Sequence, residues 1–232
     1  YTSAQGALPT RKAIAENLNS RYGTAFHADN FYMTCGAAAS LRVTLGALIT
    51  PGAGEEVVTF TPYFPEYKVF VESSGAKLVE SISDPETFQI DFTDLSSRIT
   101  PQTKAVLINS PNNPSGVVIR EEGIRQLAEL LEERSAIYGH TIYIMTDEPY
   151  RELVYDAETV VPFVTKYYDS TIVCYSFSKS LSMPGERIGY ILVPDACDRA
   201  ADIYAAVCGA GRALGYVCAP SMVQKLIARC AG

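Results

Sequence analysis

Histidine is scarce in this chain, and its scarcity argues against several kinds of catalytic site. Only two histidines, His27 and His140, occur among the 232 residues, and neither belongs to a metal-ligand pattern. The sequence therefore offers no basis for a His-based metal site or a Ser-His-Asp triad. The six cysteines form no C-x-x-C pair and no zinc spacing. At least two of them stand in apolar stretches, which indicates reduced core thiols of a cytoplasmic protein.

Basic runs and long apolar runs are also missing. The net charge is −7, which argues against nucleic acid and anionic membranes as partners. No apolar run reaches the length of about 18 residues that a membrane span requires. The chain does have 47% hydrophobic and only 19% charged residues, a composition typical of a folded globule. Its length suits one large α/β domain with a sizeable core.

Seven short apolar segments, separated mostly by helical patterns, predict a β-sheet. The predicted strands are residues 31–34, 56–60, 77–82, 104–109, 141–145, 171–175 and 188–193. This order predicts an α/β fold, a three-layer sandwich with helices on both faces of a mostly parallel seven-stranded sheet. Only about a dozen residues join the last two strands, which is short for a parallel crossover. The seventh strand is therefore predicted to run antiparallel.

Helical periodicity occurs near both ends of the chain. Residues 8–22 form an amphipathic pattern that stops at Gly23. Towards the C-terminus two helices are predicted, roughly at residues 196–208 and 221–229. Gly209-Ala210-Gly211 between them is interpreted as a break between two helices, and not as a nucleotide loop, because no strand precedes it.

A lysine stands among hydroxyl groups just after the sixth predicted strand, in Tyr-Ser-Phe-Ser-Lys-Ser. A lysine at the end of a buried strand is expected to be poorly solvated, which favours its neutral, nucleophilic form. Ser176, Ser178 and Arg187 are close to it in sequence and suit a phosphate beside that amine. Together these residues predict that Lys179 forms a Schiff base with a phosphorylated aldehyde.

The same stretch also fits the pattern Ser-x-x-Lys, from Ser176 to Lys179, which is the signature of serine acyl-transfer enzymes such as β-lactamases. That motif needs a serine that opens a helix, with Ser-Asp-Asn and Lys-Thr-Gly partners downstream. Neither partner occurs in this sequence, and a predicted strand leads into the serine. The Schiff-base lysine is therefore the leading hypothesis, and acyl transfer is the alternative.

Further polar clusters follow the other predicted strands. Ligands of open α/β sheets lie at the carboxyl ends of the strands, so these clusters should meet at one rim. The clusters are Gly36 to Ala38, Pro62 to Phe64, Asn113, Asp147 with Tyr150, and Ser176 to Lys179. The junction of strand, Gly-Ala-Ala and helix also leaves backbone N–H groups free for a phosphate. Pyridoxal phosphate would use a lysine for its aldehyde, an acid for its pyridine nitrogen and several donors for its phosphate.

Three motifs connect this sequence with a known family. Asn-Asn-Pro-Ser-Gly, Asp-Glu-Pro-Tyr, and Ser-Phe-Ser-Lys followed by Arg-Ile-Gly occur in this order. With them the sequence resembles the class I/II aminotransferases, which are fold type I pyridoxal-phosphate enzymes. The resemblance implies transfer of an amino group between an amino acid and a 2-oxo acid. It also implies that residues 1–232 are the cofactor-binding large domain, without the family's N-terminal segment and C-terminal small domain.

The resemblance implies a role for the residues of each motif. Lys179 would hold the cofactor as an internal aldimine and later carry a proton between Cα and C4′. Asp147 would pair with the pyridine nitrogen. Tyr150 and Asn113 would bind the phenolic oxygen. Phe64 would stack on the ring, at a position where many relatives carry tyrosine or tryptophan.

A phosphate cup is implied as well. It would consist of the backbone N–H groups of Gly36, Ala37 and Ala38 and the side chains of Ser176, Ser178 and Arg187. The glycine-alanine loop lacks a side-chain hydroxyl, so more of the anchoring is expected from Arg187 and the two serines. Tyr1 lies where the family often has a tyrosine that reaches the neighbouring subunit's phosphate, which implies a homodimer.

Two other functions stay open on the sequence alone. A β-lyase or decarboxylase grips the same cofactor and differs in which Cα bond is aligned with the π system of the ring. A non-catalytic effector domain of a transcription regulator, which senses pyridoxal phosphate, would keep the same site. The residues that would separate the enzyme classes are expected to lie largely outside this chain.

Overall fold

A seven-stranded sheet runs through the computed structural model, which describes residues 2–230. The strands are β1 (Phe31–Thr34), β2 (Glu56–Thr61), β3 (Lys77–Ile82), β4 (Thr103–Asn109), β5 (Tyr143–Asp147), β6 (Thr171–Ser176) and β7 (Gly189–Leu192). Their order across the sheet is β1-β7-β6-β5-β4-β2-β3. Strand β7 is antiparallel to both of its neighbours, whereas the other neighbouring strands pair in parallel. The predicted mostly parallel sheet with an antiparallel seventh strand is confirmed.

Helices connect most of the strands. They are α1 (Leu8–Tyr22), α2 (Ala37–Leu48), α3 (Glu66–Glu72), α4 (Phe92–Arg98), α5 (Glu121–Tyr138), α6 (Phe177–Ser180), α7 (Ala200–Ala213) and α8 (Ser221–Cys230), with short 3₁₀ turns at Ala28–Asn30, Val164–Lys166 and Pro184–Glu186. Helix α1 ends at Gly23, which adopts the left-handed conformation at its C-terminus as predicted. None of the helices within residues 2–230 combines the length and the apolar character that crossing a membrane requires.

The two faces of the sheet carry separate hydrophobic cores. On one face, Leu45 of α2 and Val207 of α7 pack in the cluster that contains Cys174 of β6. Val173, the neighbour of Cys174, belongs to the core formed with α1 and α8 on the opposite face, and α5 contributes Leu127 to a third core beside it. Because side chains alternate along a strand, one strand serves both faces. Helices therefore cover both faces of the sheet, and the predicted three-layer sandwich is confirmed.

The predicted break at Gly209-Ala210-Gly211 is wrong, because α7 continues through these residues as far as Ala213. Gly211 is buried against Tyr32 of β1, and a Cβ added there would lie 2.2 Å from the tyrosine hydroxyl oxygen. The glycine thus allows close contact between helix and strand, and it does not end the helix. The helix also begins later than predicted, because Arg199 has a φ of 54° and precedes the first helical residue.

Helix α4 was not predicted. Its sequence presents a single buried side chain, Leu95, so the apolar periodicity of a helix is absent. The start of the helix is set instead by Asp91, whose carboxylate accepts hydrogen bonds from the backbone N–H groups of Thr93 and Asp94. Such an N-cap satisfies backbone donors that the helix leaves free.

Candidate active site

A cavity of about 310 Å³ opens at the carboxyl ends of the parallel strands. Ten of the residues named from the sequence line it: Ala37, Ala38, Phe64, Asn113, Asp147, Tyr150, Ser176, Ser178, Lys179 and Arg187. Leu41, Phe70, Asn109, Pro149 and Pro184 complete the lining and were not predicted. Gly36 lies in close contact with the Arg187 guanidinium group. Tyr1 lies outside the described residues.

Asp147, the last residue of β5, is a buried acid with one free oxygen. Its side-chain Oδ2 accepts a hydrogen bond of 2.5 Å from the hydroxyl group of Tyr67, while Oδ1 has no partner among the described residues. Burial raises the pKa of Asp147 from 3.8 to about 7, the Tyr67 hydrogen bond opposes the rise, and Glu148 adds to it. A buried carboxylate oxygen without a donor is costly. The site therefore suits a ligand that brings an N–H group, best a cationic one, to Oδ1.

Tyr67 supports this acid and was missed in the sequence. It lies on α3 and is only 1% exposed. Burial first, and then the neighbouring Asp147, raises the pKa of Tyr67 well above that of a free tyrosine. The hydroxyl group thus stays protonated and donates to the carboxylate. Tyr67 and Val71, four residues apart, are the buried residues of α3, and this spacing was the available signal that the tyrosine faces inward.

Asn109 joins the ends of β4 and β5. Its Nδ2 donates to the backbone oxygen of Asp147 at 2.7 Å, and its Oδ1 accepts from the backbone N–H of Asn113 at 2.7 Å. Asn113 in turn contacts Tyr150. Burial raises the pKa of Tyr150, Asp147 raises it further, and the hydrogen bond with Asn113 opposes both. The loop with Asn113 and the segment with Asp147 and Tyr150 are therefore held together.

Lys179 reaches the cavity from α6, and its Nζ lies 5.9 Å from the centre of the Tyr150 ring. The prediction that this lysine is poorly solvated is wrong for the structure described, because its side chain is exposed. Strand β6 ends at Ser176, and α6 carries the lysine one turn further towards the open rim. The role of Lys179 is therefore inferred from its place in the cavity and not from burial.

Hydroxyl groups, a guanidinium group and a helix start meet beside Lys179. The Oγ atoms of Ser176 and Ser178 lie 2.7 Å apart, and Arg187 Nη1 lies 3.3 Å from Ser178 Oγ. Gly36 precedes α2 with a φ of 91°, and a Cβ added there would lie 2.6 Å from Arg187 Nη2. Only glycine leaves this space for the arginine. The positive end of α2 and the arginine together make this corner of the cavity suited to an anion.

Cysteines and acids form no competing centre. All six cysteines, at positions up to Cys230, are free thiols. Burial raises the pKa of Cys197 to about 12 and raises that of Cys174 as well. Within residues 2–230 no group of three or more His, Cys, Asp or Glu side chains is placed to hold a metal ion.

The sequence is similar to one protein family along nearly its whole length. A family model described as "Aminotransferase class I and II" matches residues 1–230. A probable aspartate aminotransferase of Methanocaldococcus jannaschii is 32% identical over 203 residues, which cover 88% of this chain and 51% of that protein. An aspartate aminotransferase of Thermotoga maritima is 35% identical over 195 residues, with 83% and 49% covered. The chain thus spans about half the length of these relatives.

Solved structures give the same result for the fold. The crystal structure of an amino transferase from Eubacterium rectale matches with a TM-score of 0.97 and 62% sequence identity, covering 100% of this chain and 58% of that one. An aspartate aminotransferase of Thermus thermophilus, a tetra mutant, matches with a TM-score of 0.85 and 28% identity, covering 100% and 59%.

Proposed function

Because this chain belongs to the class I and II aminotransferases, we propose that it is the cofactor-binding large domain of a pyridoxal-phosphate-dependent transaminase. The protein would move an amino group between an amino acid and a 2-oxo acid. The observation that carries the proposal is the free Oδ1 of buried Asp147, in the same cavity as Lys179 and the anion-binding corner. A ligand cationic at a ring nitrogen and anionic at a phosphate would satisfy both.

The residues of the cavity match the groups of this cofactor. Asp147 would accept from the protonated pyridine nitrogen, and Asn113 and Tyr150 would donate to the phenolic oxygen. Phe64 would lie against the ring. The cofactor supplies a sink for the electron pair left at the substrate Cα when a bond there breaks. A negative charge on Asp147 keeps the ring nitrogen protonated and so sustains that sink.

The anion-binding corner would receive the phosphate. Arg187 and the start of α2 supply positive charge, and Ser176 and Ser178 supply hydroxyl donors. Gly36, Ala37 and Ala38 would add backbone N–H groups at that helix start. Charge-assisted hydrogen bonds of this kind are about twice as strong as neutral ones. The phosphate would therefore hold the cofactor even when its bond to the lysine is broken.

Lys179 would have two tasks. Its Nζ would hold the cofactor through the aldehyde carbon, and the amine, when free, would accept and return the proton at the substrate Cα. Lys179 stands beside Tyr150, so the residue that moves the proton and a residue that binds the phenolic oxygen are neighbours. A β-lyase or decarboxylase would use the same lysine. Transamination is favoured because the relatives found are named aminotransferases.

We further propose a cytoplasmic homodimer. The cytoplasmic location is supported by six free thiols, since disulfides are rare in reducing compartments. The dimer rests on the family resemblance and on the position of Tyr1 in the sequence. Light scattering behind a gel-filtration column measures the mass directly, and a monomer at micromolar concentration would contradict this part of the proposal.

Cofactor attachment tests the function. The purified protein with pyridoxal phosphate should develop a visible absorption band, and borohydride reduction followed by peptide mass mapping should place the cofactor on Lys179. Lys179→Ala should abolish both signals. Lys68→Ala, which removes an exposed lysine on α3 outside the cavity, should leave them unchanged. A band that persists in Lys179→Ala would refute the assignment. An assay with a panel of amino acids and 2-oxo acids then separates transamination from release of pyruvate or carbon dioxide.

A further inference from the structure

The helix that carries Lys179 separates two cavities. Ser178 and Lys179 line the 310 Å³ cavity already described. A second cavity of about 220 Å³ lies on the other side of α6 and is lined in part by Phe177, Ser180 and Leu181. Phe177 anchors the start of this four-residue helix in the core beside Tyr175 and Tyr190, whereas Lys179 is exposed and Ser180 is half-buried at its other end. The position of the end that carries Lys179 therefore depends more on hydrogen bonds than on packing.

Ser180 makes such a bond in the wall of the second cavity. Its Oγ lies 2.8 Å from the hydroxyl oxygen of Tyr175, and that oxygen lies 2.9 Å from Oε2 of Glu152. The hydroxyl group of Tyr175 has one hydrogen, and the carboxylate of Glu152 can only accept. Tyr175 therefore donates to Glu152, and Ser180 donates to Tyr175. The three side chains form one directed chain from α6 to Glu152.

Glu152 is in turn fixed by two arginines. Its Oε1 accepts from Arg21 Nη1 at 3.2 Å and from Arg151 Nε at 3.3 Å. Arg151 is buried, and its guanidinium centre lies 4.6 Å from the centre of the Tyr175 ring. It also donates to Glu148 Oε2 at 2.6 Å. The chain of hydrogen bonds thus ends in a cluster of ion pairs around Glu152 and Arg151.

This cluster belongs to the segment that contributes Asp147 and Tyr150 to the active site. Glu148 follows Asp147, and Arg151 follows Tyr150. The side chains of residues 147 and 150 line the first cavity, whereas Arg151 and Glu152 line the second. Hydrogen bonds through Tyr175 therefore connect the lysine-bearing helix to the segment with the acid, along the side of α6 that faces away from the active site.

We propose that Tyr175 and Glu152 are positioning residues, which hold α6 through Ser180 and so place the Lys179 amine for its two tasks. The inference rests on the proposed function. Neither residue lines the active-site cavity, and both act through Ser180. Misplacement of a reacting group by about 1 Å can cost about a hundredfold in rate. A loss of the Tyr175 hydroxyl group should therefore reduce catalysis more than it reduces cofactor binding.

Tyr175→Phe, with cofactor bound, tests the inference against a matched control. We expect kcat to fall about tenfold while KM and the dissociation constant of pyridoxal phosphate change by less than about threefold. Circular dichroism of the visible band should weaken, and the midpoint of its pH titration should move, because both report how the lysine holds the cofactor. Tyr190→Phe is the control, since the buried hydroxyl group it removes accepts from Arg151 and makes no bond to α6, while the ring that packs on Tyr175 and Phe177 is kept. It should leave kcat and both spectral readouts unchanged.

Ser180→Ala breaks the same chain of hydrogen bonds from the other end and leaves the stacked rings of Tyr175 and Tyr190 unchanged. It should reproduce the Tyr175→Phe changes, and the double variant should be no worse than either single one. Unchanged kcat and spectra in both single variants would overturn the inference, as would equal effects of Tyr190→Phe. A wild-type protein without a visible band would overturn the proposed function itself, and the inference with it.

Discussion

Asp147→Asn is expected to stabilise the protein without cofactor and to destabilise it with cofactor. Burial raises the pKa of Asp147 from 3.8 to about 7 in the folded chain. Between these two values the folded state holds a proton that the unfolded state has lost. Stability therefore falls as the pH rises from about 4 to about 7 and then levels off. The asparagine variant has no carboxyl group to titrate at this position, so its stability does not fall with pH for this reason.

The size of the effect follows from the two pKa values. The difference between 3.8 and about 7 corresponds to about 4 kcal/mol at about 1.36 kcal/mol for each pKa unit. Asparagine has nearly the same shape, and its side-chain oxygen can still accept from Tyr67. We therefore expect the unfolding free energy of the variant, relative to the wild type, to rise by up to about 4 kcal/mol between pH 4 and pH 8.

Urea unfolding of the cofactor-free proteins at several pH values measures this difference. Asp156→Asn serves as control, because Asp156 is fully exposed and hydrogen bonds from Thr159 lower its pKa. The difference in unfolding free energy between Asp156→Asn and the wild type should be independent of pH above about 5. With saturating pyridoxal phosphate, Asp147→Asn should be less stable than the wild type, since the variant loses the pairing with the ring nitrogen. A difference that does not change with pH would refute the reasoning, because it would show that Asp147 is ionised at its usual pKa.

Two further predictions concern the anion-binding corner and the packing of α7. Arg187→Ala should weaken pyridoxal phosphate at least about tenfold, since a hydrogen bond to a charged group contributes about 1.5–3 kcal/mol, and Arg187→Lys should recover only part of this. Titration with unphosphorylated pyridoxal is the control, and equal losses for both aldehydes would mean that Arg187 supports the fold only. Gly211→Ala should destabilise the chain by about 1–3 kcal/mol because of its contact with Tyr32, whereas Gly209→Ala, with open space around it, should stabilise by about 0.5–1 kcal/mol in thermal unfolding.

The sheet was predictable because its evidence is local. Alternation along β6 places Val173 and Cys174 in different cores, and the short connection after β6 required an antiparallel β7. Helix α4 was missed because it buries a single side chain, Leu95, whereas the role of Gly211 in α7 depended on a contact distant in sequence. Gly211, for instance, is explained only by Tyr32. A pattern-based reading detects periodicity and turn residues, but not which strand a helix will approach.

The residues that share the candidate cavity were predictable, but the electrostatics of the cavity were not. The strand ends place Asn113, Asp147 and Lys179 around one cavity, as the motifs predict. The sequence did not indicate that Tyr67 would bind Asp147, nor that Lys179 would be exposed. Both features depend on where the short helices α3 and α6 place their side chains. A shift of either helix by one residue would change which of its side chains face inward. The sequence therefore named the groups, and the structure showed their partners.

The order of the strands explains how one cavity can bind a ligand with opposite charges at two of its groups. Along the rim, Asp147 ends β5, Ser176 ends β6 and is followed by Ser178 and Lys179, Arg187 precedes β7, and Gly36 follows β1. These strands are neighbours in the order β5, β6, β7 and β1, so the acid stands two strands from the arginine and three from the start of α2, with the lysine between them. A buried acid repels anions, and an arginine at a helix start repels cations. A ligand charged in the reverse sense would meet repulsion at both groups, so for the proposed cofactor this polarity would select the orientation in which the aldehyde carbon faces Lys179.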